Sequence, residues 1–279
     1  MRKTGDGILY NRVGTAVIEK DDIKKCWFAS LSKAYEEKRP IDSLVSRCGE
    51  LPIEEAYDVQ AMLIDRKVGE GERIVGWKVG ATSRHVMDQL GIREPILGCM
   101  TSGSCYSAMR EVKACNFCKL AIEGEIAFVM SGPLSGTCVT KADVLSAVKG
   151  VMGAVELVDC RIKGWKTSTT EAVADNALHG GFILGPLMKS LNGMDLRYEG
   201  VVLRKNGGLL ASACGVEALG DPVDVVAWAA KKLSEFGREL QSGEIILTGS
   251  LTKFFFVEPG DLVHVSFSTL GDIQFAVKD

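Results

Sequence analysis

The alternation of apolar and polar residues predicts a β-strand over residues 122–129, which is followed by a Ser-Gly-Pro turn signal. Because side chains alternate between the two faces of a strand, Glu123 and Glu125 are expected to point the same way. Adjacent carboxylates repel each other, and burial raises the cost of holding both charges. The pair therefore indicates either the solvated face of a half-exposed strand or a site where a divalent cation neutralises the charge.

A second apolar run, residues 151–161, predicts another strand and contains Glu156 and Asp159 before it ends at Arg161. A third carboxylate in a core-like strand extends the first pair to an oxygen cage of Glu123, Glu125 and Glu156. Three carboxylates leave coordination positions open for water and substrate, as a catalytic cation requires.

Amphipathic helices are predicted at residues 21–38, 52–68 and 221–240, and shorter ones at 82–90 and 140–149. Most remaining apolar runs predict strands, among them residues 74–80 and a hairpin that turns at Asn206-Gly207. There is no βαβ rhythm, so the expected fold is α+β with a mixed, barrel-like or rolled β-core and flanking helices. A helical segment, residues 1–75, is expected to pack on a β-roll core, residues 76–279.

Lys78 stands in the middle of the strand predicted at residues 74–80, between apolar neighbours. Such a lysine is either a guard that keeps an edge strand from pairing or a functional amine. The pattern alone favours neither interpretation.

Composition places the chain among ordinary globular proteins, with 279 residues, 46% hydrophobic and 25% charged. A net charge of −3 without a basic run argues against a nucleic-acid partner. No apolar stretch approaches the roughly 20 residues that span a bilayer, and the first residues lack the apolar core of a signal peptide. The expected location is the cytoplasm, without a membrane partner.

The nine cysteines are expected to be reduced in that compartment. Cys115 and Cys118 have the spacing of a metal-binding knuckle, but Cys99 and Cys105 are too far apart in sequence to complete a Cys₄ zinc site, so most cysteines are interpreted as small core residues. The three histidines, His85, His179 and His264, lack a triad-like setting and are interpreted as structural or solvated.

Several motifs occur in the same order as in one enzyme family. They are Gly-Trp-Lys-Val-Gly at 76–80 with Thr82-Ser83, Glu123-x-Glu125, Glu156 to Arg161, Asp175-Asn176, Thr248-Gly249 and Pro259-Gly260-Asp261. Together they span the chain from about residue 22 to its end. On these residues the chain resembles the fumarylacetoacetate hydrolase superfamily, in its branch of 2-keto-4-pentenoate hydratases and 4-oxalocrotonate (2-oxo-3-hexenedioate) decarboxylases.

The resemblance implies a β-roll core that binds Mg²⁺ or Mn²⁺ through Glu123, Glu125 and Glu156, and a small 2-oxo acid substrate that chelates the metal. Lys78 would bind the substrate carboxylate or assist proton transfer, with a pKa lowered by burial. The remaining candidates bind substrate: Arg161 through a carboxylate, and Asn176 and Ser250 as pocket-lining residues.

One departure bears on the reaction. Hydratases of the branch carry an acid after the proline of the loop beyond the Gly-Trp-Lys strand, whereas here Ile96 follows Pro95. Adding water to a double bond needs a positioned acid or base. The sequence therefore favours a decarboxylase of 2-oxo-3-hexenedioate in aromatic meta-cleavage catabolism. Two features favour a hydratase instead: Glu94 could supply the missing acid, and residues 161–166 resemble those of hydratases.

Two alternatives remain open: a hydratase acting on 2-hydroxypenta-2,4-dienoate, and a non-catalytic partner of a sister hydratase or decarboxylase. A homo-oligomer is expected in each case.

Overall fold

The computed structural model describes residues 2–3, 9–10, 16–17, 20–83, 87, 92–106 and 111–279. The helix predicted at residues 82–90 therefore falls largely outside the described residues, as does His85. Within the described ranges, no helix combines the length and apolar character needed to cross a membrane.

The α-helices flank the sheets and begin at residues that satisfy their first backbone N–H groups. Thr140 and Ser168 each form a capping box, and Asp221 caps the helix that starts with Pro222. That helix ends at Glu235 rather than at the predicted residue 240, because Gly237 turns the backbone with φ 67°. The helices are α1 (Lys20–Glu37), α2 (Leu44–Cys48), α3 (Ile53–Gly69), α4 (Lys141–Ala147), α5 (Thr169–Ala174) and α6 (Pro222–Glu235).

The strands form a small sheet and two large mixed ones. Chain order gives β1 (Arg2–Lys3), β2 (Leu9–Tyr10), β3 (Ala16–Val17), β4 (Ile74–Gly80), β5 (Ile96–Thr101), β6 (Glu111–Lys113), β7 (Ala121–Met130), β8 (Val148–Val158), β9 (His179–Lys189), β10 (Gly200–Lys205), β11 (Gly208–Cys214), β12 (Ile245–Leu247), β13 (Phe255–Phe256), β14 (Leu262–Phe267) and β15 (Gly271–Lys278). The first three strands pair with one another. The seven-stranded sheet has the order β5-β4-β12-β7-β8-β9, with β13 also beside β7, and the five-stranded sheet has the order β11-β10-β14-β15-β6.

The two large sheets pack face to face through one side of β7. A Cβ atom at Gly124 would lie 2.9 Å from Leu203 Cδ1 and 3.0 Å from Val201 Cγ2, so a larger residue here would force these side chains to shift. Ile122 and Ile126, on the same face as Gly124, are completely buried in the main core. By strand alternation, Glu123 and Glu125 lie on the opposite face of the sheet, away from that core.

Glu171 of α5 connects the N-terminal helices to the rest of the chain. Its Oε1 accepts hydrogen bonds from Ser43 Oγ at 2.8 Å and from the Leu44 N–H at 2.6 Å, at the first turn of α2. The same carboxylate completes the capping box of its own helix with Ser168. One buried carboxylate therefore satisfies two helix N-termini at once.

The predicted α+β class is confirmed, with helices flanking mixed sheets. The strand predicted at 74–80 has those bounds in the structure. The expectation that all cysteines are reduced is wrong for Cys26 of α1 and Cys48 of α2, which form a disulfide.

Candidate metal centre

Pairing of β7 with β8 brings the predicted carboxylates together. Glu123 lies directly opposite Glu156, and Glu125 lies opposite Ala154, so the three glutamates share one face. One oxygen from each carboxylate lies within 4.8 Å of the others. Glu125 and Glu156 are completely buried, and Glu123 is partly buried. Among the described residues, these three carboxylates are the group of acidic, histidine or cysteine side chains that is arranged closely enough to hold a metal ion.

The electrostatics of the cluster fit a divalent cation. Burial and the charge of Glu156 raise the pKa of Glu123 to about 8, and burial with both neighbouring carboxylates holds the pKa of Glu125 well above its ordinary range. Glu125 Oε2 accepts the Gly249 N–H at 2.8 Å, while its buried Oε1 has no hydrogen-bond partner in the described part of the chain. Convergent carboxylate oxygens whose ionisation is unfavourable until a cation is present are the kind of ligands that suit Mg²⁺ or Ca²⁺.

Lys78 lies on the same face, beside the carboxylates. Leu247 of β12 is the register partner of both Lys78 and Ala127, and alternation places Ala127 on the face of Glu125. The Lys78 Nζ atom lies 3.0 Å from Glu156 Oε2 and donates a hydrogen bond to the Ala177 carbonyl at 2.9 Å.

The charge state of Lys78 differs from the expectation. Burial alone lowers the pKa of its amine, but the charges of Glu156, Glu123 and Glu125 outweigh this and raise the pKa above 10.5. The expected lowering is therefore wrong for this structure, in which Lys78 is a cation. For Glu156 the two effects have the opposite signs. Burial raises the pKa of its carboxyl group, but the neighbouring Lys78 and His179 outweigh burial and lower the pKa.

His179 is a member of this site that the sequence interpretation did not assign to it. Its buried ring places Nδ1 2.8 Å from Glu156 Oε1 and Nε2 3.2 Å from Ser104 Oγ. Glu156 is thus held between Lys78 on one oxygen and His179 on the other. In the sequence, the feature that could have assigned His179 to the site is its position three residues after the Asp175-Asn176 motif. His264, by contrast, has a side chain 41% exposed.

Arg161 supports His179 from behind. Its guanidinium donates to the His179 carbonyl at 2.6 Å, to the Asp159 carbonyl and to Tyr35 Oη, and its Nε lies 2.8 Å from Asp175 Oδ1. Arg161 is 1% exposed. The predicted contact with a substrate carboxylate finds no support in this geometry, because the guanidinium is already engaged by buried protein groups.

The comparison with known proteins follows from this arrangement. The family described as "Fumarylacetoacetate (FAA) hydrolase C-terminal" matches residues 76–278, from the start of the predicted core. The chain belongs to the fumarylacetoacetate hydrolase family.

Two relatives of the family, both from Pseudomonas putida, carry different activities. The chain is 38% identical to a 2-hydroxypent-2,4-dienoate hydratase over 208 residues, which cover 74% of this chain and 94% of the relative. It is 36% identical to a 4-oxalocrotonate decarboxylase over 228 residues, which cover 81% of this chain and 85% of the relative.

A solved structure extends the likeness to the fold and the metal. The 4-oxalocrotonate decarboxylase from Pseudomonas putida G7, complexed with magnesium and adipate, superposes with a TM-score of 0.89 at 32% identity and covers 94% of this chain and 99% of its own. A second structure of that enzyme contains calcium and acetate. The predictions of a lyase-type enzyme and of a divalent-metal cofactor are confirmed by these relatives and by the carboxylate cluster.

The two residues predicted to line the pocket, Asn176 and Ser250, both form hydrogen bonds with backbone groups. Asn176 is buried and clamps β5, since its side chain accepts the Cys99 N–H at 2.7 Å and donates to the Cys99 carbonyl at 2.8 Å. Ser250 follows Gly249, the backbone partner of Glu125, and its hydroxyl donates to the Thr252 carbonyl.

Glu94 is not brought to the carboxylates. Its side chain is 51% exposed and pairs with Lys232 of α6 at 2.9 Å. Ile96, however, lies beside Lys78: a Cβ atom at Gly80 would be 3.2 Å from Ile96 Cγ1 and 3.3 Å from Lys78 Nζ. An aliphatic side chain therefore stands next to the buried amine.

Proposed function

We propose that this protein is a divalent-metal-dependent lyase that decarboxylates 2-oxo-3-hexenedioate, a small 2-oxo-enoic acid of meta-cleavage catabolism. The observation that carries the proposal is that the aliphatic side chain of Ile96 lies next to Lys78, on a site that also contains the three carboxylates. The related decarboxylase that superposes at a TM-score of 0.89 was solved with magnesium and with adipate, a six-carbon dicarboxylate.

Each side chain of the site has a role in this reaction. Glu123, Glu125 and Glu156 would hold the cation, which when bound supplies positive charge next to the substrate oxygen where electrons accumulate. Lys78 is a buried cation that attracts the carboxylate of the 2-oxo acid head. His179 and Lys78 fix the two oxygens of Glu156, so that this ligand keeps one orientation.

Decarboxylation suits the groups that surround Lys78. The C5–C6 bond to the terminal carboxylate breaks and C6 leaves as CO₂, while the electron pair delocalises through the C3–C4 double bond to the 2-oxo oxygen. A proton added to that oxygen gives 2-hydroxypenta-2,4-dienoate. Hydration instead needs an acid or base held at the carbon that accepts water. The carboxylates whose charges act on Lys78 are the three proposed metal ligands, which are committed to the cation.

Hydration of 2-hydroxypenta-2,4-dienoate is the second candidate, because a hydratase is 38% identical to this chain over 208 residues. In that case another group must act as the acid that hydratases carry at the position of Ile96. The nearest carboxylate in the sequence is Glu94.

A paired assay tests the proposal. One arm follows CO₂ release from 2-oxo-3-hexenedioate and the other follows loss of diene absorbance from 2-hydroxypenta-2,4-dienoate, each with Mg²⁺ and with EDTA. Metal-dependent CO₂ release is expected. Hydration alone would overturn the decarboxylase assignment, and silence in both arms would favour a non-catalytic partner subunit.

The variant Glu94→Gln separates the two activities. Because Glu94 is half exposed and paired with Lys232, its replacement should leave CO₂ release unchanged. Loss of hydration in this variant would instead identify Glu94 as the replacement acid.

A further inference from the structure

A cavity of about 300 Å³ lies between α3, the end of α6 and the β4–β5 strand pair. This volume is at the lower end of the range of roughly 300–1,000 Å³ that is typical of small-molecule sites. An apolar cavity of about 150 Å³ is already large enough to bind benzene, so this one has room for a single substituted ring. The lining residues used below are Tyr57, Gln60, Ala61, Trp77, Phe236 and Arg238.

The strand register separates this cavity from the metal centre. Lys78 of β4 pairs with Gly98 of β5, and a Cβ atom at Gly98 would lie 2.9 Å from Lys78 Cγ, which places both residues on one face. Trp77 and Cys99 are the neighbouring pair, and both line the cavity. Because side chains alternate along a strand, the cavity lies on the reverse face of the sheet from Lys78 and the carboxylates.

Three aromatic rings in the cavity walls favour a flat occupant. The ring centroids of Tyr57 and Phe236 lie 4.9 Å apart, with an interplanar angle of 51°. Tyr57 is buried, whereas Phe236, directly after α6, is 42% exposed. Aromatic side chains gain from stacking or edge contacts with a further ring, so an exposed ring beside a cavity suits an aromatic ligand.

Arg238 supplies a cation to the cavity wall. Its guanidinium carbon lies 5.8 Å from the Trp77 ring centroid, and no acidic side chain of the described ranges lies within ion-pair distance of it. The carboxylate of Glu244 instead accepts the Trp77 indole N–H at 3.2 Å. Asp58, the acid among the described lining residues, pairs with Lys24 at 3.3 Å. A guanidinium without a carboxylate partner beside aromatic walls favours an anionic ligand.

Two buried polar side chains in the wall have unused hydrogen-bonding capacity. Gln60 is 6% exposed and donates from Nε2 to the carbonyls of Leu97 and Val173, while its Oε1 accepts no hydrogen bond in the described part of the chain. The Tyr57 Oη accepts the Leu97 N–H at 3.0 Å, and its own O–H has no acceptor among the described residues. Since buried polar groups in native proteins are normally paired, these open positions indicate a ligand that carries polar atoms.

We propose that this cavity is a second small-molecule site, which binds a small aromatic carboxylate on the reverse face of the β4–β5 pair. The rings of Tyr57, Trp77 and Phe236 contact the ligand ring, and the guanidinium of Arg238 pairs with its carboxylate. Neither the metal nor Lys78 takes part, so the proposal is independent of the proposed function.

Three probes of similar size test the ligand class. A titration of the Mg²⁺-loaded protein, followed by the NMR signals of the ligand, compares benzoate with neutral benzamide and with cyclohexanecarboxylate, which keeps the charge on a puckered ring. We expect benzoate to bind about tenfold more tightly than benzamide, the size of one charge-assisted contact, and about threefold more tightly than cyclohexanecarboxylate.

Each comparison can contradict the proposal. Equal affinities for benzoate and benzamide would overturn the selection of an anion, and equal affinities for benzoate and cyclohexanecarboxylate would overturn the selection of an aromatic ring. No binding of any probe would overturn the site itself.

Removal of the metal tests the position of the ligand. Because the cavity lies on the reverse face of the sheet, benzoate affinity in EDTA should stay within about twofold of its value with Mg²⁺. An affinity that is lost in EDTA would place benzoate at the metal centre and overturn the proposal.

Variants then assign the contacts. Arg238→Gln should reduce the ratio of benzoate to benzamide affinity toward one, while benzamide binding stays within about twofold. Ala61→Phe adds a ring to the cavity wall and should weaken all three probes by at least about tenfold, because the space is then filled. The matched control is Arg47→Gln, since Arg47 is an exposed arginine of α2 that does not line this cavity. A ratio that survives Arg238→Gln, or probe binding that survives Ala61→Phe, would overturn the assignment.

Discussion

Replacing Glu125 by Gln should stabilise the metal-free protein while it weakens metal binding. Burial, with the charges of Glu156 and Glu123, holds the pKa of Glu125 well above 4.5. Between pH 4.5 and its folded pKa, the folded, metal-free state therefore keeps a proton that the unfolded chain releases. Such a group makes folding less favourable as the pH rises from 4.5 toward the folded pKa.

The free-energy cost of keeping this proton follows from the difference between the pH and the pKa of the unfolded chain. Each pH unit above 4.5 costs about 1.36 kcal/mol, so keeping the proton costs at most roughly 3.4 kcal/mol at pH 7 and roughly 0.7 kcal/mol at pH 5. Glutamine has the shape of the protonated carboxyl group and still accepts the Gly249 N–H, but it has no proton to keep. The gain in free energy of unfolding should therefore be at most about 3 kcal/mol at pH 7 and should stay below about 1 kcal/mol at pH 5.

Metal binding should change in the opposite direction. Loss of a partner that merely orients a ligand costs about 10–100-fold in metal affinity, so loss of the Glu125 ligand itself should cost at least about 100-fold. Urea unfolding in EDTA at both pH values gives the stability, and Mg²⁺ calorimetry gives the affinity. The exposed Glu258→Gln is the matched control. A variant less stable than the wild type at pH 7 in EDTA, or one with wild-type Mg²⁺ affinity, would refute the reasoning.

Three further predictions concern the neighbouring groups. Mg²⁺ binding at pH 7 should release protons, because the pKa of Glu123 is raised to about 8 and a carboxylate binds the metal only in its deprotonated form. Calorimetry in buffers of different ionisation enthalpy should detect this release, and a Mg²⁺ affinity that does not rise between pH 6 and pH 8 would contradict it. Arg161→Met should lower the free energy of unfolding by roughly 3–5 kcal/mol, because it leaves Asp175 buried without its cation; recovery of part of this loss in the double variant with Asp175→Asn is the check by urea unfolding. Lys78→Met should reduce CO₂ release by roughly 10²–10⁴-fold with an unchanged circular dichroism spectrum, and wild-type turnover would exclude a role for the amine.

Local pattern was enough to predict the elements that carry the site. The bounds of β4 and the shared face of Glu123 and Glu125 follow from the backbone, because alternation along a strand is independent of what the strand pairs with. The end of α6 was missed because a single residue, Gly237, terminates it while the apolar period continues. Predictions of this kind succeed where the physical cause lies within a few residues.

The partners of charged side chains were decided by contacts between distant parts of the chain. Arg161 has the same sequence pattern whether its guanidinium meets a substrate or buried protein groups. In the structure it donates to Tyr35 of α1 and pairs with Asp175, which follows α5. His179 became a neighbour of Glu156 through the pairing of β8 with β9.

The sequence by itself determined that Glu123 and Glu125 share a face, since that depends on covalent geometry and strand alternation, whereas Glu156 joined them only through the pairing of β7 with β8. Only the tertiary structure decided that Lys78 lies beside Glu156 and that His179 holds the other oxygen of the same carboxylate. Electrostatic and packing energies depend on distances between atoms far apart in the chain, and those distances exist only after the sheets have paired.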